Sequence, residues 1–166
     1  MKSHLILIIL FLAMFSCESS QEPKTIYIVR HAEKLLSGDD PELSVAGTVR
    51  SKKLAQILEE KDIQHIYSTN TIRTKATVQS LADKLGITIE IYDVKNHDDL
   101  VKNLRKNKGD ALVVGHSNSI QNVVNYFVGS EEKYPELEDI EYDYIFVVDL
   151  FKDGGSKVKR AIYKEF

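Results

Sequence analysis

The sequence is poor in cysteine, in excess charge and in long apolar stretches, and each shortage excludes a class of protein. Its one cysteine, Cys17, leaves no possibility of an intramolecular disulfide. A formal net charge of -3 over 166 residues offers no basic excess for binding nucleic acid. The apolar run at residues 5–15 is too short to span a membrane. With 43% hydrophobic residues, the rest of the chain suits one globular domain.

Metal-ligand and cofactor motifs are also missing. The sequence has no glycine-rich phosphate loop and no convincing metal cluster, so it predicts neither a metal nor a cofactor. The stretch His97-Asp98-Asp99 could be a metal site, but a helix start explains it better. Asn96 would cap that helix, and the acids would suit its amino end.

The first residues are typical of an export signal. The apolar run at 5–15 follows Lys2 and is followed by Ser16-Cys17, which resembles the signal of a bacterial lipoprotein cleaved before the cysteine. We therefore expect a signal peptide at 1–16, a tether lipidated at Cys17 over 17–24, and a folded domain over 25–166. The domain would be anchored to a membrane by lipid, outside the cytoplasm, in the periplasm or on the surface of a bacterium. A plain secretory signal or an incidental cysteine is the alternative.

The remainder alternates strand and helix patterns, which predicts an α/β fold. We expect a three-layer α/β/α sandwich whose central sheet is mostly parallel, with an antiparallel hairpin at its edge around Asp153-Gly154-Gly155. The predicted strands are 26–29, 63–67, 88–92, 111–114, 144–150 and 157–163, and the predicted helices start at Ser44 and span about 71–85, 96–106 and 119–128.

Two loops and one helix face complete this outline. Residues 34–41 form a turn-rich loop that we expect to cover the end of the first strand. The acid-rich stretch 131–143 is expected to be a solvated loop, or else a surface that recruits a basic partner. On the first helix, Gly47 would allow close approach to the sheet. Arg50 would either support a site residue from behind or pack its stem on the core edge.

Charged and polar residues follow three strands at the point where each strand ends. Arg30 and His31 follow the first strand, His116 follows the fourth, and Arg73 comes soon after the second. Because ligands bind at the carboxyl edge of open α/β sheets, these four side chains are expected to share one pocket.

The segments TIYIVRHAEK, LSVAGTVR, IYSTNTIRTKAT and VVGHSNS together resemble the histidine phosphatase superfamily, the phosphoglycerate-mutase-like proteins. The family signature is Arg-His-Gly, whereas Arg30-His31-Ala32 is similar to a small subgroup carrying Arg-His-Ala-Glu. The resemblance implies that His31 is a nucleophile that carries the phosphoryl group. It also implies that His116 donates to that group, with Arg30 and Arg73 holding its oxygens.

The chemistry of these side chains agrees with that resemblance. A neutral imidazole can attack phosphorus, and arginine forks match phosphate oxygens. Backbone donors at Ser117 and Asn118, at the start of a helix, would add to the anion site, and Ser68 is a further candidate for binding substrate.

The proton donor is left open between two carboxylates. Asp93 follows the third strand at the expected edge, and Glu33 lies two residues after His31. Either could be a surface acid, and the chain may have no dedicated acid, as the small protein-histidine phosphatases of the superfamily imply.

The sequence thus predicts a metal-independent phosphatase that hydrolyses a phosphate monoester through a phosphohistidine at His31. Its partner would be a small phosphorylated molecule or a phosphoprotein, with no nucleic acid, and the membrane would be reached through the lipid at Cys17. One alternative is a phosphohistidine-protein phosphatase. An alternative of another class is a non-catalytic anchored module that binds phosphate. The mutase branch is less expected, because the chain lacks the segments that would hold a bisphosphorylated sugar acid.

Overall fold

The structure is a computed structural model that describes residues 21–129 and 131–166. The predicted signal peptide at 1–16 and the predicted lipidation site Cys17 lie outside the described residues. The predicted tether ends where the first strand begins, at Lys24, one residue before the predicted domain boundary.

Six strands form one mixed sheet in the order β3-β2-β4-β1-β5-β6. The strands are β1 (Lys24–Arg30), β2 (Ile63–Ser68), β3 (Ile89–Ile91), β4 (Asp110–Gly115), β5 (Tyr144–Leu150) and β6 (Ser156–Ile162). The first four run parallel, and β5 and β6 add an antiparallel edge. This confirms the predicted α/β fold with its antiparallel edge hairpin.

Within residues 21–129 and 131–166, four helices cover the two faces of the sheet. They are α1 (Val45–Leu58), α2 (Ile72–Leu85), α3 (His97–Lys106) and α4 (Ile120–Asn125), and a short 3-10 turn follows at Tyr163–Glu165. Apolar side chains of α1 and α2 belong to one buried cluster, and those of α3 and α4 belong to the other. Burial of both sheet faces explains why β1 and β4 are almost wholly apolar in sequence.

Local sequence signals set the helix ends. Ser44 and Thr71 cap α1 and α2 by accepting hydrogen bonds from backbone amides three residues on. Gly86, with φ of 67°, ends α2 in the left-handed region. Gly47 allows α1 to approach the sheet, because a Cβ there would lie 2.0 Å from the carbonyl oxygen of Glu33.

The fourth helix is shorter than the predicted 119–128. It ends at Asn125, because the amides of Tyr126 and Phe127 donate to carbonyls only three residues back, which tightens the chain into a turn. Phe127 and Val128 are nevertheless buried in the core, so their apolar pattern predicts burial correctly and helix wrongly.

No helix within the described residues is both long enough and apolar enough to cross a bilayer.

Candidate active site

The four residues that the sequence predicts for the site line one cavity of about 1320 Å³ at the carboxyl edge of the sheet. Arg30 ends β1 beside Gly115 of the neighbouring parallel strand, and the amide of His31 donates to the Gly115 carbonyl at 2.9 Å. His116 follows Gly115, and its ring centroid is 5.4 Å from that of His31. Arg73 reaches the same cavity from the first turn of α2. The parallel pairing of β1 with β4 is therefore what brings the histidines together.

His31 is held as a neutral imidazole with one nitrogen available. Its side chain is 3% exposed, and Nδ1 lies 2.8 Å from the Ala32 carbonyl oxygen. Because a carbonyl only accepts, Nδ1 carries the proton and Nε2 keeps its lone pair. Burial, aided by the nearby arginines, lowers the pKa of His31 to about 4. At neutral pH the ring is therefore uncharged, and Nε2 is in the state that a nucleophile requires.

The loop carrying His31 is fixed by α2. The amide of Ala32 donates to Oγ1 of Thr77 at 2.9 Å, and the same hydroxyl donates to the Arg73 carbonyl at 2.7 Å. One hydroxyl thus joins the segment after the nucleophile to the helix turn that carries Arg73.

His116 is oriented by a threonine and an arginine. Arg73 Nη2 lies 3.3 Å from Nδ1, which must then accept, so Nε2 carries the proton and donates to Oγ1 of Thr69 at 3.0 Å. Thr69 is 2% exposed and donates in turn to Oγ1 of Thr74 at 3.1 Å. Burial, together with Arg73 and Arg30, lowers the pKa of His116 to about 4.

Arg30 is buried beneath the acid-rich stretch. It is 4% exposed and donates to the backbone carbonyls of Glu138, Asp139 and Glu141 at 2.8, 3.1 and 3.3 Å. Its guanidinium carbon lies 4.1 Å from the ring centroid of Tyr142, a cation–π contact. Its Nε is buried and has no hydrogen-bond partner in the part of the chain that the structure describes. An anion entering the cavity could supply that missing partner.

Arg73 is held by the predicted covering loop. Its Nη1 donates to Asp40 Oδ1 at 3.1 Å, and the same carboxylate accepts from the amide of Ile72 at the start of α2. Its Nε, like that of Arg30, is buried without a partner. From the same loop Lys34 lines the cavity. The loop 34–41 therefore contributes a charge to the cavity and anchors one of its arginines.

The structure separates the two candidate proton donors. Arg50 binds Glu33 through Nε and Nη2, with the shortest contact at 2.7 Å, and this pairing lowers the pKa of Glu33. Glu33 does not line the cavity, so its assignment as an alternative acid is wrong: an ionised carboxylate facing Arg50 has no proton to give. Arg50 is the partner that orients it. Asp93 lines the cavity and is exposed, and its assignment as the proton donor stays a prediction.

The other residues predicted for the site also divide into those that line the cavity and one that does not. Ser117 and Asn118 line the cavity between His116 and α4. Ser68 does not, because it is fully buried and its hydroxyl donates to the Thr69 carbonyl at 2.8 Å. The structure therefore does not support Ser68 as a substrate-binding residue. The next residue, Thr69, lines the cavity instead.

Sequence reasoning missed the role of the stretch 131–143. Although acid-rich, it is not simply solvated: Leu137 is 7% exposed in the core, and its amide donates to the Ser117 carbonyl at 3.2 Å. Glu136, Leu137, Glu138 and Asp139 form one wall of the cavity. Leu137, an apolar residue between two acids, was the signal that could have revealed this burial, although Ile140 in the same stretch is exposed. We call residues 136–139 the acidic wall.

No group of three or more histidine, cysteine, aspartate or glutamate side chains in the described part of the chain could hold a metal ion. At α3, Asn96 caps the helix by accepting from the amide of Asp99, which is the helix-start interpretation of His97-Asp98-Asp99.

Comparison with known families agrees with this geometry. Residues 26–96, which include Arg30, His31 and Arg73, match the sequence profile of the histidine phosphatase superfamily (branch 1). Sequence and fold together support that superfamily. The Arg-His-Ala segment and α2 lie within the matched residues, whereas His116 lies outside them.

A curated sequence relative also matches part of this chain. The chain is 35% identical over 82 residues to the human 6-phosphofructo-2-kinase/fructose-2,6-bisphosphatase 4, which covers 46% of this chain. The chain spans 17% of the length of that relative.

Solved structures of the superfamily share the fold. The protein histidine phosphatase SixA, complexed with tungstate, aligns with a TM-score of 0.68 and 17% identity over 85% of this chain and 98% of that one. Phosphoglycerate mutase from Plasmodium falciparum aligns with a TM-score of 0.57 and 19% identity over 82% and 89%. The α/β fold is therefore phosphoglycerate-mutase-like.

Proposed function

We propose that the protein is a phosphatase that hydrolyses a phosphate monoester through a phosphohistidine on His31. The observation that carries this proposal is the state of His31: a neutral ring whose Nδ1 proton is held by Ala32, leaving Nε2 unprotonated beside His116. Arg30 and Arg73 each bring a guanidinium group to the same cavity, and the Nε atom of each is buried with no hydrogen-bond partner among the described residues. The superfamily match over residues 26–96 supports the same chemistry.

The reaction has two steps. Nε2 of His31 attacks phosphorus, the bond from phosphorus to the ester oxygen breaks, and the alcohol leaves with a proton from a donor. Water then gives a proton back to that donor and attacks phosphorus, the phosphorus–nitrogen bond breaks, and inorganic phosphate leaves with both His31 and the donor restored. The arginines and His116 stabilise the charge that spreads over the phosphoryl oxygens in both steps. Asp93, on the cavity wall, is the proposed donor to the leaving alcohol.

Hydrolysis of para-nitrophenyl phosphate with a chelator present tests this proposal. We expect metal-independent turnover that His31→Ala abolishes. The matched control is His65→Ala, because His65 lies on β2, pairs with Glu90 and does not line the cavity. Turnover that survives in His31→Ala would refute the phosphohistidine, and trapping of phosphate on His31 after a quench without acid would identify it.

A phosphohistidine-protein phosphatase is the second candidate. The fold similarity to the protein histidine phosphatase SixA, which covers 98% of that chain, favours it. Imidazole leaves a phosphoryl group more readily than an alkoxide does, so such a substrate needs less help from a carboxylic acid. A phosphohistidine protein that is turned over much faster than alkyl phosphates would support this candidate. If phosphate binds but neither substrate turns over, the remaining candidates are a narrowly specific phosphatase and a non-catalytic binding module.

We infer further that the chain belongs to the small Arg-His-Ala-Glu subgroup, and that Cys17 is lipidated and anchors the domain to a membrane outside the cytoplasm. The support is the sequence alone, an apolar run followed by Ser16-Cys17. Intact mass measured on the protein from a bacterial membrane fraction tests this. We expect a mature chain that begins at an acylated Cys17, and Cys17→Ser should release the protein from that fraction. Mature protein without acyl mass would refute the anchor.

A further inference from the structure

A basic groove runs beside the point where the described chain begins. This groove, which we call the basic groove, has a volume of about 760 Å³ and lies along α3. Its lining contains the cations Lys102, Arg105, Lys106 and Lys108 and the acids Glu22 and Asp98. The three lysines are exposed. Although the whole chain has a net charge of -3, the lining of this groove contains more cations than acids.

The amino-terminal segment is tied to the edge of this groove. Arg105 donates to the side-chain oxygen of Gln21 at 3.2 Å, and the Gln21 side chain donates to the Phe151 carbonyl at 3.1 Å. Four residues of fully extended chain span at most about 14 Å, so a lipid attached at Cys17 would hold Gln21 within about that distance of the attachment point. A lipid on Cys17 would bring the bilayer surface close to the basic groove. This step rests on the anchor proposed above.

The candidate active site lies at the opposite edge of the sheet. Residues 21–24 precede β1, and His31 follows it, so the length of β1 separates the two. Seven residues of strand correspond to about 20 Å. The cavity at that far edge is bordered by the acidic wall and Asp93. The far cavity therefore has an acidic border, whereas the basic groove carries four cations against two acids.

We propose that the basic groove docks on the anionic headgroups of the membrane that holds the anchor, and that this turns the active-site cavity away from that membrane. Lysines close to an anionic leaflet add attraction to that of the acyl chains, whereas the acidic wall is repelled. The orientation restricts the substrate: a phosphate carried on a soluble molecule or protein reaches the cavity, and a phospholipid headgroup in the same leaflet does not.

The test uses the lipidated full chain in vesicles of phosphatidylcholine with or without phosphatidylglycerol. Cys17 is the sole cysteine and its thiol would be acylated, so one added cysteine can be labelled with a fluorophore. Lys152→Cys places the label in the turn next to Phe151, at the groove edge of the sheet. Ile140→Cys, at a site 89% exposed, places it beside the acidic wall. Quenching by a spin label on lipid headgroups reports which edge faces the bilayer.

In anionic vesicles we expect several-fold stronger quenching at 152 than at 140. The double change Lys102→Glu/Lys106→Glu, or raised salt, should reduce this ratio to its value in pure phosphatidylcholine. The matched control Lys52→Glu/Lys53→Glu changes two exposed lysines on α1, which packs on the other face of the sheet, and should leave the ratio unchanged.

Three results can overturn the proposal, and they are distinguishable. Equal quenching at both sites, or a ratio that ignores lipid charge and the groove lysines, refutes docking while the anchor stands. A protein without acyl mass refutes the anchor, and this orientation with it. Hydrolysis of para-nitrophenyl phosphate in the same vesicles reports on catalysis independently of both. Turnover of a phosphomonoester lipid in the same leaflet at the rate of a soluble ester would also contradict the orientation.

Discussion

Two regions next to the nucleophile use arginine in opposite ways. Behind the loop, Arg50 meets both carboxylate oxygens of Glu33, and each side chain is 24% exposed. In the cavity, Arg30 and Arg73 each leave a buried Nε without a partner. A matched pair offsets its own desolvation, whereas a buried donor without a partner costs free energy. The unmatched arginines are therefore where we propose that a ligand anion binds, and the matched arginine is where the fold is held.

The sharpest way to break this comparison is to truncate one arginine of each kind. Arg73→Ala should lower kcat/KM about 10²- to 10³-fold, because it removes a donor to the transferring phosphoryl group and a contact to His116. Arg50→Ala should lower kcat/KM far less and should mainly reduce thermal stability. Steady-state kinetics and thermal denaturation of both variants provide the measurement. Equal losses of activity would show that the two regions are not functionally distinct.

The second test concerns the two carboxylates. Asp93→Asn should lower turnover of an alkyl phosphate about 10²-fold, since a poor leaving group needs a proton. Turnover of para-nitrophenyl phosphate should change much less, because its leaving group is stable as an anion. An unchanged rate on the alkyl phosphate would remove Asp93 from the mechanism.

Thr69 tests how strongly the cavity depends on the hydroxyls behind it. Thr69→Ala should lower kcat about tenfold with little change in KM, since His116 loses the hydroxyl that holds its ring. Thr69→Ser keeps that oxygen and should restore most of the rate. If serine fails to rescue while the protein stays folded, the methyl group rather than the hydrogen bond matters.

The two cavity histidines should titrate well below an ordinary histidine. Their pKa values are lowered to about 4 from 6.5, so both should be neutral at pH 5.5 in the ligand-free protein. An unfolded histidine takes up a proton below about pH 6.5, whereas the two cavity histidines stay neutral down to about pH 4. The free energy of unfolding should therefore fall as pH falls from 6.5 toward 4. Titration of the ring signals by nuclear magnetic resonance measures this. Midpoints near 6.5 would contradict the neutral nucleophile.

The smallest effect on rate is expected for Glu33→Gln. Because Glu33 does not line the cavity, kcat should stay within a few-fold of the wild type. The free energy of unfolding at pH 7 should fall by about 1–2 kcal/mol, an amount suited to a partly exposed pair. The Arg50 pairing lowers the pKa of Glu33, so this contribution is present above the ordinary value of 4.5 and lost below it. Urea denaturation at pH 7 and pH 3.5 should therefore show the difference between the two proteins shrinking in acid.

Most of the fold followed from periodicity and end signals. The apolar runs of β1 and β4, the helix start at Ser44 and the helix predicted over about 71–85 all match the structure. The fourth helix was predicted too long, because burial of Phe127 and Val128 in a turn leaves the same apolar pattern as burial in a helix.

The sequence by itself determined which residues follow the ends of the strands. Because the carboxyl ends of parallel strands meet at one edge of the sheet, it also determined that Arg30, His31, Arg73 and His116 converge. Tertiary structure alone decided that Glu33 pairs with Arg50, that Thr69 rather than Ser68 faces the cavity, and that the acid-rich stretch folds over Arg30. Those outcomes depend on contacts between residues far apart in the chain. Local pattern carries no information about which distant partner will satisfy a buried charge.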